Sequence, residues 1–393
     1  VQTIARLNQI RLKKGKERPI LQHHHWVYSG AVDATPEFSD GDLAEVFASN
    51  GKKLGIAMLA KGRSILGTML AYGESSVEES LAQRIHSAVS MRNNLTPANT
   101  NAIRLINAEG DGIPGLIVDR YADILVVQIS NPGIDQLKDT IVSLLIETCS
   151  PRSIYEKSTS SMRSKNGATA VKSLLFGEPI TEVEILEKGL KFVVDIVEGQ
   201  KTGLFLDQRE MRNLVKDLSL NKSVLNCFAY TGAFSIAALS GGATHVDSVE
   251  ISAKCELAVQ KNLQANKLPE SRHTFIKADV FDFLKTAAID HDIVILDPPA
   301  FAKAKKDVDN AFKAYKDLNC QAIQKMAPGT LLLTCSCSYY IDEELFQNIL
   351  FRAALEAGRR VRVIERQRHA HDHPISLFHP ESSYLKSLLL YVD

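Results

Sequence analysis

At 393 residues, with 45% apolar and 23% charged side chains, the chain has ordinary globular composition and is too long for one hydrophobic core, so two or three domains are expected. No run of about 18 apolar residues occurs, which excludes a membrane-spanning helix. The 46 basic and 46 acidic residues cancel, so overall charge speaks neither for nor against a polyanionic partner. The opening residues lack an apolar signal segment, and the scattered cysteines do not form a dense disulfide framework; both predict a reduced, cytoplasmic protein. Local charge is more telling. Arg6, Arg11, Lys13, Lys14, Lys16 and Arg18 stand against the single acid Glu17, a basic patch suited to phosphates or, equally, a solvated strand edge.

In chain order, Leu43 to Ala48, the turn Ser49-Asn-Gly51, Leu54 to Leu59 and Ile65 to Ala71 predict a small β-barrel within residues 1–77. A unit over 78–190 follows. It opens with a polar helix from Glu78 to about Asn94 and a strand at Arg104 to Asn107. The turn Glu109-Gly-Asp-Gly-Ile-Pro-Gly115 leads to strands at Leu116 to Val118 and Ile124 to Ile129. A helix from Asp135 to Thr148 and a strand near Ile154 complete an α+β module, while Ser158 to Gly177, rich in Ser, Lys and Gly, reads as an exposed connection. Within 191–393 the pattern becomes strands alternating with helices, the mark of an α/β doubly wound sheet. Its strands are Val224 to Cys227, His245 to Val249, Thr274 to Lys277, Ile293 to Leu296, Leu331 to Thr334, Val361 to Ile364 and Leu388 to Val392. Ligands of such sheets bind at the carboxyl ends of the strands, so the residues that follow each strand are the candidates for chemistry.

The first strand runs into Asn226-Cys-Phe-Ala-Tyr-Thr-Gly232, where a glycine lets backbone approach a ligand. The second ends in Glu250, a carboxylate placed to accept both hydroxyls of a ribose, and the third in Asp279 and Val280, placed to meet an adenine. Each acid alone reads more readily as a helix cap or surface residue; three consecutive strand ends reverse that balance and favour a nucleoside pocket. The fourth strand delivers Asp297-Pro-Pro-Ala-Phe301, a carboxylate aimed by a stiff turn, with Phe301 offering a face to an extruded base and Lys303, Lys305 and Lys306 suiting phosphates. The fifth ends in Thr334-Cys-Ser-Cys-Ser338. Carbon 5 of a pyrimidine is a poor nucleophile until something adds to carbon 6, and a thiolate can do so; Cys335 and Cys337 both qualify. No metal is expected, because neither His369, His371 and His373 nor His23-His24-His25 is joined by a Cys-x-x-Cys pair.

With these motifs the chain resembles, over essentially its whole length, the RlmI-like family of 23S ribosomal RNA cytosine-5 methyltransferases. The matching segments are His25 to Val32, Gly110 to Gly115, Lys201 to Arg209, Asn226 to Gly232, Asp297 to Phe301, Ser336-Cys-Ser338 and Asp372-His-Pro374. The resemblance implies a PUA domain over 1–77, a central α+β domain over 78–190 and a Rossmann-like class I methyltransferase domain over 191–393. It implies S-adenosylmethionine (SAM) as cofactor, 23S rRNA as partner, no membrane, and a homodimer as a plausible state. It places Asn226, Phe228, Tyr230 and Gly232 along the SAM pocket, Glu250 on the ribose, and Asp279 and Val280 on the adenine. Lys201, Phe205, Gln208 and Arg209 fall at the methionine end; the residues themselves, apart from the resemblance, put Asp297 beside a planar heterocycle or the migrating methyl group and Phe301 and Lys303 toward the RNA. The resemblance chooses Cys337 over Cys335 as nucleophile. Other cytosine-5 RNA methyltransferases carry a second cysteine where Ala300 and Phe301 stand here. The competing readings are a guanine-N2 methyltransferase, which needs no thiol, a uracil-5 enzyme, and a non-enzymatic RNA-binding protein that keeps the scaffold.

Overall fold

The computed structural model describes residues 7–62, 64–367 and 369–393, so Arg6 of the basic patch lies outside the described residues. Five short strands form the first unit: β1 (Asn8–Arg11), β2 (Trp26–Tyr28), β3 (Leu43–Phe47), β4 (Lys53–Leu59) and β5 (Ile65–Tyr72), in the order β1-β3-β4-β5-β2. The basic segment begins in the edge strand β1, which holds Arg11 and pairs parallel with β3, and continues through a turn to the short helix that opens at Arg18. Alternation does the folding here. Ile10, Val27, Val46, Ala57 and Met69 point inward to one core, while Arg11, Lys13, Lys14, Lys16 and Arg18 stay exposed.

The second unit opens with the helix Val77–Leu95, whose start is closed by a reciprocal cap: Ser76 Oγ accepts the Glu79 N–H at 3.1 Å and the Glu79 carboxylate accepts the Ser76 N–H at 3.0 Å. Its sheet contains β6 (Ala102–Asn107), β7 (Leu116–Tyr121), β8 (Ile124–Ile129), β9 (Ser153–Ser158) and β10 (Val171–Gly177), in the order β10-β9-β8-β7-β6. Two expectations are corrected. The segment 158–177 is not merely a connection: it holds the helix Ser161–Lys165 and strand β10, which extends the sheet antiparallel to β9. The helix expected from Asp135 is two helices, Pro132–Gln136 and Lys138–Cys149, because Asn131 caps the Ile134 N–H at 2.9 Å and Pro132 starts the first one early.

The hairpin β11 (Glu182–Glu187) and β12 (Leu190–Asp195) escaped the sequence reading. Its inward residues Ile185, Phe192 and Val194 pack with Tyr121 and Ile124 of the second unit and with Met211, Val215 and Ile236 of the third. A boundary at 190–191 runs through this hairpin.

The third unit is built on β13 (Ser223–Cys227), β14 (His245–Glu250), β15 (His273–Lys277), β16 (Ile293–Leu296), β17 (Thr330–Ser336), β18 (Val361–Gln367) and β19 (Lys386–Val392). Their order is β15-β14-β13-β16-β17-β19-β18, with β19 inserted antiparallel between β17 and β18. Side chains alternate between two cores: Ile293 and Ile295 join one, Val294 and Leu296 the other, so the central strands read as continuous apolar runs. The strand order reverses between β13 and β16, and the ends of these two strands open the crevice in which ligands of such sheets bind.

Candidate active site

The loop leaving β13 carries backbone strain. Phe228 (φ 60°), Tyr230 (φ 49°) and Gly232 (φ 74°) are left-handed, a conformation that bulky aromatic residues keep only when their surroundings enforce it. The Tyr230 N–H donates to Glu250 Oε2 at 3.0 Å, and the Ser252 N–H donates to Glu250 Oε1 at 3.0 Å, which fixes the carboxylate at the end of β14. The Tyr230 hydroxyl accepts the Gln200 N–H at 2.7 Å and donates to Gly203 O at 3.0 Å, latching the lead-in loop against the turn. A Cβ at Gly232 would lie 2.9 Å from Val259 Cγ2, so only glycine fits there. Beneath the loop Asn226 is buried, its amide donating to Ser235 Oγ at 2.8 Å, while its Oδ1 has no hydrogen-bond partner among the described residues. Asp279 caps the helix Val280–Thr286 by accepting the N–H groups of Phe281 (2.9 Å) and Asp282 (3.2 Å), with Val280 buried behind it.

Asp297 and Cys337 face each other across the ends of β16 and β17. The Cys337 thiol lies 3.8 Å from Pro298 O, and the Gln208 amide donates to Asp297 Oδ1 at 2.8 Å. Burial, reinforced by the Asp207 charge, pushes the Asp297 carboxyl up to about 7 against the pull of Lys201, Arg212 and Gln208. Burial pushes the Cys337 thiol up to about 11, with Asp297 and Asp207 adding to the rise and Lys201 and Lys386 opposing it. Cys335, two residues earlier, is fully buried in the hydrophobic core, its thiol held far above the ordinary range by burial, whereas Cys337 at the strand end keeps part of its surface open. Lys386 was missed from the sequence. It sits opposite Ser336 in the β17–β19 ladder and donates to Ser338 O and Tyr384 O, each at 2.7 Å; burial lowers its amine to about 8 while Cys337 raises it. A lone lysine opening the apolar run of the last strand was the available signal.

Ser338 clamps the two strand ends together, accepting the Ala302 N–H at 3.1 Å and lying 3.0 Å from the Tyr315 hydroxyl. Phe301 is half-buried, 4.5 Å from the Tyr315 ring and 5.9 Å from Phe281. Lys303 is exposed, and its carbonyl accepts Lys165 Nζ of the second unit at 2.9 Å.

The structure removes Arg209 from the site. Its guanidinium is buried and pairs with both carboxylate oxygens of Asp372, and it also donates to Ala102 O at 3.3 Å, so it has no free face for a ligand carboxylate. Lys201 is the exposed cation at that end, its ammonium 4.6 Å from the centre of the half-buried Phe205 ring. The histidines of 369–373 form no ligand set: His369 and His373 stack with ring centres 6.3 Å apart, His369 Nε2 accepts the Leu385 N–H at 3.0 Å, His373 pairs with Asp372 at 3.0 Å, and His371 is exposed. Among the described residues one group, His24, His379 and Glu381, has ligand-type atoms within 4.8 Å of one another. The Trp26 N–H donates to His24 Nδ1 at 3.2 Å, which puts the ring proton on Nε2, 3.5 Å from Glu381 Oε1. In that tautomer the neutral His24 ring donates to Glu381, and its own ring lone pair is taken by the Trp26 N–H.

The comparisons agree with this architecture. The S-adenosylmethionine-dependent methyltransferase family matches residues 122–390, and the PUA-like domain family matches 10–72. A protein from Streptococcus mutans described as a SAM-dependent methyltransferase superposes with a TM-score of 0.83 at 25% identity, covering 98% of this chain and 100% of its own. A methyltransferase crystallised with S-adenosylhomocysteine superposes at 0.85, with the same identity and coverage. Fold and pocket thus define a SAM-dependent methyltransferase with an N-terminal PUA-like domain. Proteins named ribosomal RNA large subunit methyltransferase I from Shewanella denitrificans and Aliivibrio fischeri are each 38% identical, covering 97% and 96% of this chain and 98% and 97% of their own length. The chain belongs to the ribosomal RNA large subunit methyltransferase I family. The groups at these strand ends suit SAM: Glu250 is a fixed carboxylate at the end of β14, the Asn226 Oδ1 is an unmet acceptor among the described residues, and Lys201 is an exposed cation.

Proposed function

We propose that this protein methylates carbon 5 of a cytosine in large-subunit (23S) ribosomal RNA through a covalent adduct with Cys337. The observation that carries the reading is the half-open Cys337 thiol beside the Asp297-Pro298 turn, at the strand end next to the switch point. The names of the relatives support ribosomal RNA as substrate. SAM, when bound, supplies an electrophilic methyl group. Lys201, Phe205 and Gln208 would hold its methionine end, Asn226, Phe228, Tyr230 and Gly232 would line its cradle, and Glu250, Asp279 and Val280 would hold its adenosine.

The chain's own residues make carbon 5 reactive. The Cys337 thiol gives its proton to water, its thiolate favoured by the cations Lys201 and Lys386, and the thiolate forms a bond to carbon 6, moving electron density toward carbon 5 and ring nitrogen 3. Asp297, with its pKa near 7, holds a proton that it donates to nitrogen 3 as charge develops there. Phe301 and Lys303 lie where the extruded base and its phosphate are held. After methylation the carbon 5 proton leaves to water, the carbon–sulfur bond breaks, the thiolate returns, and nitrogen 3 gives its proton back to the Asp297 carboxylate. A carboxylic acid fits cytosine, whose nitrogen 3 is an acceptor, better than uracil, whose nitrogen 3 bears a hydrogen. Incubating unmodified 23S rRNA with enzyme and labelled SAM, then resolving the nucleosides by mass spectrometry, tests the reading. Labelled 5-methylcytidine is expected; N2-methylguanosine or 5-methyluridine would overturn it.

A further inference from the structure

Just past the nucleophile, Tyr339 and Tyr340 stand in solvent at 46% and 40% exposure, ring centres 5.0 Å apart and edge-on. Two exposed aromatic rings beside a nucleophile bury little of their own and leave their faces to a partner. The Tyr339 phenol is shifted upward by burial and by the proximity of Glu381, Tyr340, Glu109 and Tyr28, a neighbourhood drawn from all three structural units. Tyr28, at the end of β2, is 43% exposed, its ring 6.3 Å from Trp26, and Trp26 packs 4.7 Å from His379 of the third unit. The first sheet is thereby held against the catalytic unit, with Tyr28 on the near side.

From Tyr28 the surface continues into positive charge. Gly30 O accepts Lys13 Nζ at 3.1 Å, and Arg11, Lys14, Lys16 and Arg18 are exposed on the same short stretch of chain. Two acids border the path. Glu381 lies between His24 and His379, at 3.5 and 3.6 Å, and burial shifts the Glu109 carboxyl toward its neutral form.

We propose that this path binds a single-stranded RNA segment flanking the target nucleotide, with Tyr339, Tyr340 and Tyr28 stacking on unpaired bases and Arg11 to Arg18 meeting its phosphates. The inference rests on the proposed RNA methylation and adds to it that the target lies in an unpaired region. Aromatic faces beside a cationic track suit single strands, because a duplex keeps the faces of its bases within its own stack. A protein partner would leave the basic run unexplained.

The test measures fluorescence anisotropy of the full chain with an unstructured cytosine-containing RNA oligonucleotide and with the same strand annealed to its complement. Tyr28→Ala and Tyr340→Ala should each weaken single-strand binding by about 5- to 100-fold. Duplex affinity and the SAM dissociation constant should stay at the wild-type level. Tyr340→Phe should retain single-strand affinity and Tyr340→Leu should lose it, which separates stacking from any folding defect. Unchanged single-strand affinity in the alanine variants, or an equal loss on the duplex, would overturn the proposal. The identity of the methylated nucleoside is read separately by mass spectrometry, so a wrong base assignment and a wrong RNA path give different results.

Discussion

Neighbours in sequence, Gln208 and Arg209 turn into two polar clusters with opposite electrostatics. Arg209 faces a cluster in which every charge has an opposite: Asp372 takes Arg209, the Arg104 N–H at 2.9 Å and His373 at 3.0 Å, while Arg104 pairs with Asp119 and Arg212 with Glu187. Gln208 faces the other cluster, in which Asp297 receives one amide, Cys337 and Lys386 lack a fixed counter-charge, and all three are shifted away from their ionised forms. The paired cluster joins units, since Asp372 lies in the third and Arg104 in the second. The unpaired one has charge states that only a substrate completes. Burial alone therefore does not separate structure from chemistry; unmet charge does.

The sharpest way to break this contrast is to remove the thiol. Cys337→Ala should lower methylation of 23S rRNA by about 10^4-fold or more, as expected for a lost nucleophile, while Cys335→Ala stays within a few-fold of wild type. Turnover is read from labelled SAM. The reverse pattern would move the nucleophile to the fully buried Cys335.

On the paired side the damage should fall on stability. Asp372→Ala leaves Arg209 buried without its counter-charge, at a cost of about 3–5 kcal/mol in urea denaturation. A neutral result would mean that the pair is dispensable packing. Losing SAM affinity with stability intact would instead return Arg209 to the cofactor site.

Asp297→Asn sets the two kinds of site against each other. Turnover should fall by about 10^2- to 10^3-fold. In the wild type, kcat/KM rises with pH as thiolate forms and stops rising once Asp297 loses its proton near pH 7; the variant should lack that bend. Stability should move the other way. A carboxyl raised from 3.8 to about 7 favours the fold below its ordinary value and loses that contribution as pH rises through about 7. The melting temperature of the variant should therefore gain on wild type between those pH values and hold a constant lead above them. A pH-independent difference would show that Asp297 is ionised throughout.

The strand ends were legible because central parallel strands are apolar throughout, so Asn226, Glu250 and Asp297 stand out where each run stops. The choice between Cys335 and Cys337 was not legible from chemistry alone. Strand register decides which thiol enters the core, and the packing of β17 against β19 buries Cys335. Arg209 misled for a related reason: its residue type announces a cation but not its owner, and Asp372 lies 163 residues away. The hairpin 182–195 did carry its period of two, with Val183 and Ile185 inward between Glu182 and Glu184, and could have been read. Strand β10 could not, because its Ser- and Lys-rich lead-in hides a partly exposed edge.

The smallest effect tests whether the strained loop belongs with the unpaired cluster or with the scaffold. Tyr230→Phe removes one hydroxyl, which accepts the Gln200 N–H and donates to Gly203 O, and leaves the ring 5.5 Å from Phe205. The lost bonds contribute about 1 kcal/mol, so SAM should bind about fivefold more weakly by calorimetry with little change in melting temperature. Such a split would show that the hydroxyl preorganises the lead-in loop for the cofactor, its left-handed turn being held ready before SAM arrives. A fall in melting temperature with SAM affinity unchanged would assign Tyr230 to the scaffold, and the strain in the loop would then lack a functional reason.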